Sequence, residues 1–166
     1  MANGSIIKSS EELFRKAVDP SNFISTYILG HLWIEYYLFH IAKIKSAKSE
    51  ASLSKLTHSK LIDLIDTLQV LSASQISVLK DINKMRNMLA HDISYEPSIH
   101  DLKTLVASAA AAFSDMTDGL EQTLGELEGK SALSEVNEFV YPELFMQIAY
   151  DLEEVYIQCG GQVDFV

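Results

Sequence analysis

The chain is poor in the residues that staple, kink or loosen a backbone. Among 166 residues there are one cysteine (Cys159), three prolines and seven glycines. One thiol cannot close an intrachain disulfide, which excludes a disulfide-framework protein and agrees with a reducing compartment. With so little glycine and proline the chain is neither collagen-like nor a low-complexity linker. No stretch alternates apolar and polar residues with the period of two that a half-buried strand needs, and no internal repeat is visible. The opening residues, MANGSIIKSSEELF, have no charged start, apolar stretch and cleavage site in succession. No secretory signal is therefore expected, and the cytoplasm is the expected location.

Only one run is long and apolar enough to raise the question of a membrane, residues 23–44 (FISTYILGHLWIEYYLFHIAKI). It carries His31, Glu35, His40 and Lys43, and a glutamate within a bilayer is expensive. A central core helix is the better reading, and no membrane partner is expected.

Apolar residues at helical spacing fill most of what remains, 48% of the chain being hydrophobic. The fold class expected is all-α, a single-domain bundle of five to six helices over residues 1–166. A short first helix is expected over about 9–18, stopped by Asp19-Pro20. The second runs from about Ser21 to Ala47. A third, after a Ser/Lys-rich loop, spans about Thr57–Leu71, with Leu61, Leu64, Ile65, Leu68 and Leu71 on one face. The fourth starts at Ser72 or Ser74 and ends near His91, buried through Ile76, Leu79, Ile82 and Leu89. Pro97 is expected to open a long fifth helix reaching Leu120, bent or frayed at Gly119 and Gly125. The last covers about Pro142–Gln158, stopped by Gly160-Gly161.

Charge is unevenly spread over the total of −10. Residues 1–91 hold 11 Lys and Arg against 8 Asp and Glu, whereas residues 92–166 hold 2 against 15. An acidic second half disfavours broad, sequence-independent nucleic-acid binding, because phosphate affinity comes from Lys and Arg. A local RNA site in the first half stays compatible with it. The plainer use of the acidic face is solubility.

Two places put polar groups where apolar ones belong. Arg86 follows Ile82 by four residues and Leu79 by seven, so it continues the buried stripe of its helix. A guanidinium cannot lose its proton, and burying it unpaired is costly. On the second helix, Ile24, Ile28, His31, Glu35, Leu38 and Ala42 share a face, which sets His31 and Glu35 one turn apart on an otherwise apolar stripe. Glu35 is therefore expected to pair with Arg86 across the bundle, a buried ion pair that also fixes helix alignment. A metal site on His31 and Glu35 has only two ligands, with no other His or Cys at metal-ligand spacing, so no cofactor or metal is expected. Asn83, Asn87 and His91, spaced by four, form a polar edge beside the Arg86 stripe. His91, followed by Asp92, also suits a helix C-terminus, where the dipole favours it. Five residues separate Arg86 from His91, about 140° around an ideal helix. The two converge on one ligand only if the helix end unwinds or a second copy supplies the opposite wall.

The segment Arg86-Asn87-Met88-Leu89-Ala90-His91 resembles the motif of the HEPN superfamily, an arginine four to six residues before a histidine, with a polar residue after the arginine. The preceding Leu79, Ile82 and Asn83, and Glu35 on the upstream helix, are similar to that family's motif helix and acidic helix. The likeness covers about residues 20–115, leaving 129–166 as a C-terminal helical extension. It implies an all-α homodimer whose two motifs face one cleft. In many such proteins that cleft is a metal-independent endoribonuclease of toxin or defence type. On that reading Arg86 and His91 are catalytic, with Asn87 beside them, and Glu35, His31, Asn83 and Asp92 support them. An imidazole can take the proton of the RNA 2′-hydroxyl, and an arginine can stabilise the charged phosphorane. The partners implied are RNA and an antitoxin or other protein. Two alternatives stand beside it: a non-catalytic HEPN-like or mannitol-repressor-like regulatory module, and an acidic antidote or immunity protein.

Overall fold

The computed structural model describes residues 10–11, 23–91, 95 and 97–162. These residues form an all-helical protein with seven α-helices. They are α1 (Phe23–Lys45), the single turn α2 (Glu50–Leu53), α3 (His58–Leu68), α4 (Ala73–His91), α5 (Ile99–Ala112), α6 (Gly119–Leu127) and α7 (Val140–Gln158). A 3-10 turn at Leu133–Glu135 precedes α7. Most of the short first helix expected over 9–18 lies outside the described residues, although Ser10 and Glu11 are helical.

Helix α1 is the centre of the bundle. Tyr27, Ile34, Leu38 and Ile41 are fully buried along it, and His31 and Ala42 with them. Buried residues cover about half of its circumference and half-buried ones most of the rest, which explains why its sequence is so apolar. Among the described residues no helix is long and apolar enough to cross a membrane. Helix α7 packs against α1, and Phe145 of α7 sits directly on Gly30. A Cβ there would fall 2.1 Å from the Phe145 ring, so only glycine lets that ring seat against the α1 backbone. Tyr27 meets the same ring edge-on at 5.0 Å between centroids. The C-terminal extension thus completes the core.

On its other side α1 packs against α3 and α4. The Tyr27 hydroxyl donates to the Ile82 carbonyl at 3.2 Å, tying α1 to the middle of α4. Thr57 caps α3, accepting from the Lys60 amide, and Gln69 ends it in the left-handed conformation at φ 53°. Helix α3 therefore stops three residues before the expected Leu71.

Two expectations for the fifth helix are corrected. Ser98, not Pro97, sets its start: the Ser98 hydroxyl accepts from the Asp101 amide while the Asp101 carboxylate accepts from the Ser98 amide. The helix also ends at Ala112 instead of running to Leu120. Asp151 on α7 accepts hydrogen bonds from both the amide and hydroxyl of Ser114. The Asp115 carboxylate accepts from the Leu120 and Glu121 amides, at 2.7 and 2.9 Å, and so starts α6. Apolar spacing continued through this break, which hid it in the sequence.

Candidate functional site

Helix α4 ends at His91, and its two sides carry different polar groups. On the inner side Ile76, Leu79 and Ile82 are buried, and Arg86 continues their line as expected. Arg86 is half-buried. One terminal nitrogen donates to Asn87 Oδ1 at 3.1 Å, while its Nε is buried with no hydrogen-bond partner.

The expected Glu35–Arg86 ion pair is not formed. Glu35 is bonded instead to His58, whose Nδ1 lies 3.2 Å from Glu35 Oε2. The physical reason is the position of His58 at the start of α3. It leads the buried residues Leu61, Ile62 and Ile65 at helical spacing, so the packing of α3 on α1 carries the imidazole inward to the carboxylate. His58 is the residue that sequence reasoning missed. The signal was there, since His58 continues an apolar stripe just as Arg86 and His31 do.

His31 is fully buried and stacks against His58, with ring centroids 3.9 Å apart and planes tilted by 40°. Neither of its ring nitrogens makes a hydrogen bond. Burial, then the neighbouring His58 and the positive charge of Arg86, push its pKa down to about 3. The Asn83 side chain opposes that shift without reaching full hydrogen-bond geometry. His31 is thus a neutral imidazole. Arg86, with its Nε buried, lies close enough to this cluster for its charge to lower the His31 pKa, but makes no ion pair among the described residues.

On the outer side of α4, Asn83, Asn87 and His91 line one open groove of about 720 Å³, as their spacing predicts. Ser59 and Asp63 of α3 form its far wall, with Lys80, Lys84 and Met88 along α4. His91 is exposed and is the last residue of the helix. Lys80 reaches across to Asp63 and Asp66 at 3.7 and 3.5 Å. All three side chains are about half exposed, so these pairs add little stability. They do occupy the Lys80 charge. Lys84 and Met88 also border a second hollow of about 320 Å³ between α4 and α5, and so form the ridge between the two.

Arg86 does not line the groove that His91 lines. Within one chain the two open to different sides of α4, as the angle between them predicts. Asp92 lies outside the described residues. No family model, curated protein or solved structure matches the chain.

Proposed function

We propose that the protein is a HEPN-like, metal-independent endoribonuclease of toxin or defence type, acting where two copies bring the ends of their α4 helices together. The observation that supports it most is the exposure of His91 beside Asn83 and Asn87 on an open groove. That setting leaves the imidazole free to meet a ligand seated in the groove. In the reaction the RNA 2′-hydroxyl attacks the adjacent phosphorus and the 5′-oxygen leaves, giving a 2′,3′-cyclic phosphate and a 5′-hydroxyl. His91 accepts the 2′-hydroxyl proton, and a water molecule protonates the departing 5′-oxygen. Arg86 stabilises the phosphorane, with Asn87 holding its guanidinium in place. Because Arg86 and His91 diverge within one chain, the second copy supplies the opposing wall. An antitoxin or other protein would then act as the partner that covers the cleft.

The test is cleavage of RNA in the presence of a metal chelator. Wild type should cut, and Arg86→Ala and His91→Ala should each lose at least about 100-fold in rate with unchanged melting. Undiminished cutting in either variant removes the assignment.

A second reading, a non-catalytic HEPN-like or mannitol-repressor-like interaction module, is favoured by the inward turn of Arg86 and the pairing of Lys80 with Asp63 and Asp66. Under it, purified protein cuts no RNA.

A further inference from the structure

We propose that His31, Glu35 and His58 bind one divalent first-row transition ion, Zn²⁺ by preference, in a site that ties α1 to α3 directly behind the α4 groove. The inference does not rest on the ribonuclease reading.

The first support is the donor set and its placement. Two imidazoles and a carboxylate suit zinc and its neighbours, whereas calcium and magnesium take oxygen ligands. His31 and Glu35 stand one turn apart on α1, and the first turn of α3 delivers His58 opposite them. One ligand atom from each lies within 4.8 Å of the other two. His58 Nδ1 and Glu35 Oε2 are 3.2 Å apart, close to the edge of about 3.3 Å in a tetrahedron of ligands around zinc.

The second support is independent of spacing. Both nitrogens of His31 and Nε2 of His58 are buried without any hydrogen-bond partner. Protonating His31 gives it no relief, because that buries a charged donor with no acceptor to meet it. Ligation through one nitrogen of His31 uses a lone pair that the protein leaves unengaged, while His58 Nδ1 and Glu35 turn from each other to the ion between them. Glu35 provides the way in, since its side chain is 37% exposed while that of His58 is 7%.

Arg86 acts against the ion. Its charge is felt at His31, so it weakens binding of any cation there. Its removal therefore has a predictable sign, which a site elsewhere on the chain would not share.

The experiment uses the full chain, stripped with a chelator and titrated with Zn²⁺ alone, and separately with Co²⁺ alone to read its visible bands. One ion per chain should bind and raise the melting temperature. Glu35→Gln and His58→Gln should each weaken binding at least about ten-fold. Arg86→Gln should tighten it several-fold. His91→Gln and Cys159→Ser, which alter other donors, should leave it unchanged. Absence of stoichiometric binding overturns the proposal, as does binding that survives His58→Gln or is lost with Cys159→Ser. Both glutamine variants keep a polar side chain at positions less buried than His31, and circular dichroism verifies their fold. Failure of RNA cleavage leaves this result intact, and zinc binding lends the cleavage no support.

Discussion

Histidine stands on both sides of α4 under opposite conditions. Behind the helix, His31 and His58 are buried where α1 and α3 pack, with Glu35 and Arg86 half-buried beside them. In front, half-buried Asn87 and exposed His91 line a groove open to solvent, and buried Asn83 reaches from that groove toward His31. Water satisfies an exposed imidazole for nothing, so His91 can stand wherever the helix ends. A buried imidazole has only what the protein supplies, and His31 has no hydrogen bond at all. Changes behind α4 should therefore be read first in stability and metal binding, and changes in front first in what the groove does.

The widest contrast comes from the apolar residues that hold the rear cluster. Ile82 is fully buried, and Ile82→Ala should lower unfolding free energy by about 2–5 kcal/mol in urea titrations. A loss comparable with that of a surface change would mean that α4 is not docked as described. Next comes His31→Leu, assayed with chelator present. It replaces two unpartnered buried nitrogens by carbon of similar bulk, and should stabilise the metal-free protein by about 1–3 kcal/mol. Marked destabilisation would show that His31 is satisfied in solution after all.

Alkali probes the buried phenols of α1 and α7. Burial raises the pKa of Tyr27 and Tyr37 and pushes that of Tyr141 up to about 12. The unfolded chain ionises these phenols near their ordinary value of about 10, before the folded chain does. Their contribution is complete below that pH and is lost as pH rises through the folded values, so melting temperature should fall from about pH 10 upward. Tyr27→Phe should blunt that fall, at a loss near neutrality of about 0.5–1.5 kcal/mol from the missing bond to Ile82. A flat profile would count against burial of these hydroxyls. The smallest effect on stability belongs to the groove. His91→Ala should change unfolding free energy by no more than about 0.5 kcal/mol, since His91 is exposed. A large loss would make it a structural cap, and the two sides of α4 would no longer differ in kind.

Much of the fold was legible because helical periodicity is a local signal. The expected bounds of the second, fourth and last helices fall within about two residues of α1, α4 and α7. The errors arose where tertiary partners override that signal. The apolar register runs on through residues 113–118, yet Asp151 on α7 holds Ser114 and ends the helix there. The turn α2 fell within residues read as a loop, since four residues are too few to show a period. At the site, Arg86 was marked as abnormal by its place on an apolar stripe, and it does turn inward. The choice of partner for Glu35 was not legible, because His58 comes from another helix 23 residues along the chain.

The sequence by itself determined the all-helical class, the polar edge of Asn83, Asn87 and His91, and the divergence of Arg86 from His91. Each follows from the 100° step between neighbours on a helix, which needs no knowledge of what the helix packs against. Only the tertiary structure decided that His58 joins His31 and Glu35, and that Arg86 is left without an ion pair among the described residues. That outcome depends on how α3 and α4 seat on α1. Apolar packing, insensitive to direction, sets the seating, and the polar groups accept whichever neighbours it brings them.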